Sequence, residues 1–360
     1  MTSSDVSLKP GVVTGENYVT LVSAAKAGGY ALPAVNVTGS NTINAVLEAA
    51  ARAESDVIIQ LSNGGAEFYA GKGFPDGFQA KVLGAVAAAG HIHLLAEHYG
   101  VCVAVHTDHA NKSLIPWVEA LIEASERQFE KAGIPLFSSH MLDLSEESFE
   151  FNLGECARVL ERMAKVGLSL EIELGVTGGE EDGVGSDVEA GADNSRLYTQ
   201  PEEVLSAYER LNPLGHFSVA AAFGNVHGVY KPGNVKLRPE ILKGSQSLVK
   251  ERHGTGENPL NLVFHGGSGS EQNKIKEAVS FGVFKMNIDT DTQFAFSKPI
   301  GDFVKANPRA FEVQVDEDGT PYKKLYDPRK YLRLGEQGIV TRLQQAFDDL
   351  GSKGRSIARR

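Results

Sequence analysis

Short runs of apolar and β-branched residues recur along the 360-residue chain, each followed by a longer stretch whose apolar positions return at helical spacing. Eight such runs stand out: Leu32–Asn36, Val57–Ser62, Val101–Thr107, Leu136–Leu142, Leu168–Leu174, Phe217–Ala222, Leu260–Phe264 and Val283–Ile288. They are largely continuous rather than alternating, which is the pattern of parallel strands buried on both faces. Between the first two, Ile43, Val46, Leu47 and Ala50 fall at i, i+3, i+4 and i+7, so that connection reads as a helix laying one stripe on a sheet. The same spacing predicts helical crossovers over Ala80–Tyr99, Ser113–Lys131, Ser145–Val166, Pro201–Leu211 and Glu271–Phe281. Eight strands joined by helices, without a linker or a break in composition, predict an α/β chain folded as a single (β/α)8 TIM barrel with extra helices. The domain is expected to span 1–360, with short tails over about 1–10 and about 350–360.

One segment differs in kind. Thr177–Ser195 is rich in glycine and acids, follows the fifth run directly, and lacks the apolar content to pack, so it reads as a long mobile surface loop.

Composition narrows the function. The 35 basic residues against 46 acidic ones leave a net charge of -11, which argues against nucleic-acid or anionic-membrane partners but not against a small anionic substrate. No run approaches the roughly 18 apolar residues of a membrane span, and Met1–Pro10 lacks the apolar core of a leader, so a soluble, cytoplasmic protein is expected. Only Cys102 and Cys156 occur, too few for a disulfide framework or a thiolate cluster. The basic end (Lys353, Arg355, Arg359, Arg360) reads as a solvated, frayed tail.

Barrel enzymes assemble their sites from side chains at the carboxyl ends of strands. Here those ends yield Asn36, Ser62, Asp108 with His109, Asp143, Glu173, His227 beyond Phe223–Val226, His265, and Asn287 with Asp289. Zinc favours nitrogen and sulfur ligands in tetrahedral geometry, and a catalytic zinc keeps one position open by using three protein ligands. His109, His227 and His265 are the candidates, and they converge only if strands three, six and seven end on one rim. His91 and His93, two apart on a predicted helix, are read as surface residues, while His106 and His140 are left between a supporting role and none. The stretch His265-Gly-Gly-Ser-Gly-Ser270 offers a run of backbone N–H donors ahead of a helix, a good phosphate cradle, with Asn287-Ile-Asp-Thr290 following the eighth strand beside it.

The segments Tyr99–His109 (YGVCVAVHTDH), Leu170–Glu181 (LEIELGVTGGEE), Phe223–Tyr230 (FGNVHGVY), Phe264–Ser270 (FHGGSGS) and Lys285–Thr292 (KMNIDTDT) resemble class II fructose-1,6-bisphosphate aldolases, the metal-dependent kind. The likeness runs from about Pro10 to Phe347 and includes Ser138–Glu147 and Tyr326–Leu332; the glutamate pair Glu180–Glu181 in a long loop resembles the longer, dimeric branch. The resemblance implies reversible cleavage of fructose 1,6-bisphosphate into dihydroxyacetone phosphate and glyceraldehyde 3-phosphate, in glycolysis and gluconeogenesis, with Zn2+ stabilising the enediolate and a monovalent cation (K+ or Na+) as activator. It makes His109, His227 and His265 the zinc ligands, with Asp143 and Glu173 able to hold a second or displaced metal. Asp108 would handle the proton of the hydroxyl at the bond being broken, and Glu181, beside Glu180, the proton on the dihydroxyacetone-phosphate carbon. Gly228, Gly266, Gly267, Ser268, Asn287, Ile288, Asp289 and Thr290 would bind that triose phosphate, Asn36 and Ser62 the aldehyde half, and Arg329 a phosphate across a homodimer. One departure is visible: members of the family often read Cys-Ala-Lys-Lys where this chain has Ala110-Asn-Lys-Ser113.

Three other readings are weighed. A related aldolase for another ketose bisphosphate such as tagatose differs by one inverted hydroxyl. A zinc hydrolase is disfavoured because the first strand ends in Asn36 rather than in a His-x-His pair. A non-catalytic metal- and phosphosugar-binding protein would be expected to lose Asp108 or Glu181, and both are present.

Overall fold

The computed structural model describes residues 7–177, 197–225, 236–267 and 270–358, together with the backbone of Gly179–Glu181 and Val184–Ser186. Each predicted run contains one strand: β1 (Leu32–Asn36), β2 (Val57–Leu61), β3 (Cys102–Thr107), β4 (Ser139–Leu142), β5 (Ser169–Leu174), β6 (Phe217–Ala221), β7 (Leu262–Phe264) and β8 (Val283–Ile288). Consecutive strands pair in parallel, and β8 pairs with β1 (Asn287 opposite Ala34), so the sheet closes into the predicted eight-stranded barrel. Closure leaves the barrel strands no free edge. The predicted crossovers are helices, Gly77–Tyr99, Ile115–Ala132, Phe149–Ala164, Pro201–Leu211 and Gln272–Ser280 among them. Among the described residues no helix is long and apolar enough to cross a membrane.

Strand alternation divides the buried residues into two clusters. Ile59, Val103, Val105, Leu170, Ile172 and Val219 point outward into the layer beneath the helices. Ala34, Ile58, Cys102, Ala104, Ala220 and Val263 point inward and pack with Tyr18, Leu21, Val22 and Ala25 of helix Glu16–Gly28. That helix therefore lies against the amino half of the barrel interior, and polar residues are left to the other half. After β8 the chain adds helix Thr290–Ala306 and the long helix Pro328–Asp349. These cross at Gly338, where a Cβ would stand 1.9 Å from the Ala295 carbonyl oxygen, so only glycine permits the contact. Arg333 then ties the long helix to Glu48 at 2.6 Å and 2.9 Å.

Two expectations are corrected. His91 and His93 are half-buried, not surface residues: His91 bonds Asn44 and His93 the Leu136 carbonyl, each at 2.9 Å, because their helix has neighbours on more than one side. The C-terminal segment does not fray up to Ala358. Leu8 N–H donates to Ile357 O, and the buried Asp56 carboxylate accepts from Ser356 Oγ (2.6 Å), Ile357 N–H (2.8 Å) and Cys102 N–H (2.9 Å). Arg359 and Arg360 lie outside the described residues. The acidic segment predicted as a loop carries a hairpin, Gly179–Glu181 antiparallel to Val184–Ser186.

Asp56 thus joins β3 to the chain end. Asp56→Ala leaves two buried N–H groups without an acceptor and should cost about 2–4 kcal/mol. Denaturant unfolding would register that loss, and trypsin would cut faster after Lys353 and Arg355; unchanged cleavage would show that the tail is held by something else.

Candidate active site

The interior changes character along each strand. On β2 the inward residue Ile58 is followed by Gln60; on β3, Ala104 by His106 and then Asp108; on β7, Val263 by His265. On β5 the inward pair is Glu171 and Glu173, and on β8 Lys285 and Asn287. All of these polar residues are buried. The carboxyl half of the barrel is therefore a pool of polar groups that must satisfy one another.

Asp108, fully buried just past β3, is held by amides: its carboxylate accepts from Gln60 Nε2 (2.7 Å), Asn287 Nδ2 (3.2 Å) and Asn36 Nδ2 (3.3 Å). Burial alone would push its carboxyl up, but His109, Lys285, His265 and the Asn36 hydrogen bond outweigh it and hold the group below the ordinary carboxylate range. The next residue, His109, has φ of 37°, a left-handed conformation that a side chain rarely adopts. Strain of this kind persists only where the surroundings enforce it, and it clusters at functional sites.

His109 and His265 meet edge to face, His109 Nε2 to His265 Nδ1 at 2.9 Å. The far nitrogen of each ring faces a carboxylate: His109 Nδ1 lies 3.2 Å from Asp143 Oδ2, and His265 Nε2 lies 2.7 Å from Glu171 Oε1. A carboxylate accepts, so each far nitrogen carries the proton in the neutral ring and the two facing nitrogens present lone pairs to each other. Lone pairs at that separation repel unless a proton or a cation lies between them. The carboxylates make the same demand. Asp108, Asp143, Glu171 and Glu173 converge around these rings, and among the described residues one buried ammonium, Lys285, answers them. Glu173 Oε2 is buried with no hydrogen-bond partner. Two groups, Asp108–His109–His265 and His109–Asp143–Glu173, bring ligand atoms within 4.8 Å of one another, so the residues present fit a divalent cation.

Around this centre the predicted rim residues take their places. Gly266 has φ of 61°, which favours glycine, and a Cβ on Gly267 would crowd the Met286 side chain at 2.6 Å and the Asn287 carbonyl oxygen at 3.2 Å, so the turn after β7 lies close against the end of β8. Helices Gln272–Ser280 and Thr290–Ala306 both begin beside it, with Asp289 at the N-cap position of the second. Ser62 caps the helix Asn63–Ala70 by accepting from Gly65 N–H. Arg329 stands apart, almost fully exposed and paired with Asp327 at 2.7 Å. A cavity of about 440 Å³ opens over His109, Asp143 and Glu173, with Asn111, Lys112 and Thr177 in its wall. The departure at 110–113 is accommodated locally: Ala110 is buried, Asn111 accepts from Ser113, and Lys112 pairs with Glu147. His227, Gly228, Ser268 and the side chains of Glu180 and Glu181 lie outside the described residues.

Four participants were not singled out in the sequence: Gln60, Glu171, Asn225 and Lys285. Asn225 donates to His265 O (3.0 Å) and joins the ends of β6 and β7. The other three sit inside apolar runs, and their signal was spacing: Glu171 is two residues before Glu173, Lys285 two before Asn287, and Gln60 two before Ser62. His106 and His140 prove to be supporting residues, bonding Ser139 Oγ (2.8 Å) and Thr107 Oγ1 (2.7 Å); burial depresses both, His140 to about 3.

Burial, reinforced by the Asp143 carboxylate, raises Glu173 from 4.5 to about 8, whereas His109 and Ser145 overcome the burial of Asp143 and hold it low. Between those two Glu173 values the folded chain binds a proton that the unfolded chain has lost, so stability falls as pH rises across that window. Chelator-treated protein should therefore unfold more easily at pH 8.5 than at pH 5.5, by on the order of a few kcal/mol from this group. Glu173→Gln should flatten that dependence, and a parallel pH profile for parent and variant would count against it.

Comparison with known proteins identifies the family. The family model described as fructose-bisphosphate aldolase class-II matches residues 16–355. The chain is 55% identical over 348 residues to a fructose-bisphosphate aldolase of Campylobacter jejuni, covering 95% of this chain and 97% of that one. It is 52% identical over 353 residues to the fructose-bisphosphate aldolase class 2 of Escherichia coli strain K12, covering 96% and 97%. A crystal structure of fructose-bisphosphate aldolase from Campylobacter jejuni superposes with a TM-score of 0.88 at 52% identity, covering 99% of this chain and all of that one. With the fold, the buried donor set and these relatives in accord, the chain belongs to the class II fructose-bisphosphate aldolase family.

Proposed function

We propose that this protein is a metal-dependent aldehyde-lyase that reversibly cleaves fructose 1,6-bisphosphate to dihydroxyacetone phosphate and glyceraldehyde 3-phosphate, as a step of glycolysis and gluconeogenesis. The observation that carries the reading is the pair of histidine nitrogens facing each other at 2.9 Å among buried carboxylates, immediately beside Asp108. His109 and His265, with His227, would hold zinc, and Asp143 with Glu173 a second or displaced metal position. When bound, the divalent cation supplies a Lewis acid for the carbonyl next to the bond that breaks.

The chain's own residues do the rest. Cleavage requires a base at the hydroxyl of the carbon that becomes the aldehyde. Asp108 is suited to it: buried, held below the ordinary carboxylate range, and oriented by amides that can release one oxygen to a substrate proton. The electron pair of the broken bond is left on the neighbouring carbon, where Glu181 would deliver a proton, with Glu180 beside it. Gly228, Gly266, Gly267 and Ser268, with Asn287–Thr290, would bind the triose phosphate, since two helices start there and the N-terminus of a helix favours an anion. Asn36 and Ser62 would contact the aldehyde half. Arg329, exposed and clear of the cluster, fits a homodimer in which it reaches the other subunit's substrate. A monovalent cation, K+ or Na+, would assist near His227 and His265.

Purified protein should cleave fructose 1,6-bisphosphate faster than tagatose 1,6-bisphosphate, lose activity to a chelator and regain it with zinc. Activity that survives chelation, or none on either sugar, would overturn the mechanism. Glu181→Ala should lower kcat by about 10²–10⁴-fold while zinc stays bound, whereas His109→Ala should lose zinc and turnover together. A Glu181→Ala enzyme with normal kcat would remove the proton-transfer assignment.

A further inference from the structure

Glu171 does not line the cavity and ends no strand, yet both of its carboxylate oxygens are held by charged or ionisable side chains. It is 1% exposed, and so is Lys285, whose ammonium donates to both carboxylate oxygens, at 2.9 Å and 2.8 Å. The same Oε1 accepts from His265 Nε2 at 2.7 Å, and His106 Nε2 lies 3.7 Å from Oε2, itself fixed through Nδ1 by Ser139. Glu171 comes from β5, Lys285 from β8 and His265 from the end of β7, so the contact spans the barrel interior. The ammonium grips both oxygens and leaves the carboxylate one orientation, with Oε1 turned to the imidazole.

We propose that Glu171 and Lys285 are positioning residues for the metal centre: the lysine fixes the carboxylate, the carboxylate holds the proton of His265 on Nε2, and the Nδ1 lone pair is thereby committed to the cation. The proposal rests on the reading of His265 as a metal ligand. A carboxylate behind a ligating histidine sets its tautomer and ring orientation, and losing such a partner typically costs about 10–100-fold in metal affinity. The interaction also explains why a lysine is buried in a site built for a cation. Its ammonium is hydrogen-bonded to both oxygens of Glu171, on the side of His265 away from His109, and so does not occupy the position between the rings.

Removing one partner alone strands a buried charge, but replacing both with apolar groups of similar size is often tolerated. The test therefore uses Glu171→Leu/Lys285→Met and Glu171→Gln/Lys285→Met, with zinc affinity measured by competition against a chromophoric chelator. The leucine variant should bind zinc about 10–100-fold more weakly. The glutamine variant, whose amide oxygen can still accept from Nε2, should recover most of the loss. A folded leucine variant with the affinity of the parent would overturn the proposal, as would a glutamine variant no better than the leucine one. Should the leucine variant fail to fold, nitrogen-15 NMR of the metal-free parent decides: its His265 signal, assigned by its disappearance in His265→Asn, should report the proton on Nε2, and a proton on Nδ1 would overturn the assignment. His265→Ala separates the two levels. If it binds zinc like the parent, the ligand reading itself fails; if it loses zinc while the leucine variant does not, only the positioning role fails.

Discussion

Charge buried at the carboxyl end of a closed barrel governs the rest of this structure. Asp108, Glu171 and Glu173 are almost wholly removed from water and Asp143 nearly so, and taking one ionised carboxylate out of water costs several kcal/mol unless it is paired or hydrogen-bonded. The barrel can carry that burden because its other parts are ordinary. The layer beneath the helices is a continuous apolar core, and the amino half of the interior is filled by Ile58, Ala104, Val263 and the helix Glu16–Gly28. The carboxylates are answered in three ways. Glu171 is matched by a lysine, Asp108 is wrapped in amides, and Glu173 with Asp143 faces a cavity through His109. Among the described residues the third solution is incomplete, since Glu173 Oε2 has no hydrogen-bond partner, and a divalent cation is the kind of group that fits it.

That division accounts for what could be read from the sequence. The barrel was legible because strands buried on both faces read as continuous apolar runs, and all eight emerged, the first and last to the residue and the others long by a residue or a few at one end. The rim was legible for a related reason: when an apolar run stops at Asp108-His109, Asp143 or His265, the chain is placing polar groups where the sheet opens. What stayed hidden lies inside the runs. Glu171, Lys285 and Gln60 are flanked by Leu, Ile, Phe and Met, so a window that averages hydrophobicity sees a core strand, and only the two-residue alternation with Glu173, Asn287 and Ser62 betrays them. The end of the chain was misread because its basic composition resembles a loose tail, whereas its hold comes from Asp56, some 300 residues away in sequence.

The two most deeply held carboxylates show how one barrel can assign opposite duties to the same functional group. Glu171 is clamped by an ammonium on both oxygens and by an imidazole on one of them, so a substrate proton has no free approach, and its value is orientation. Asp108 is bound by Gln60, Asn36 and Asn287, neutral amides at 2.7–3.3 Å that orient it without consuming its negative charge. An amide can shift to another acceptor when a substrate hydroxyl arrives, at the cost of one exchanged hydrogen bond. A lysine cannot leave its carboxylate in a site this dry without stranding both charges. The identity of the donors, more than the depth of burial, therefore decides which carboxylate is fit to move a proton and which is fit to hold a ligand still.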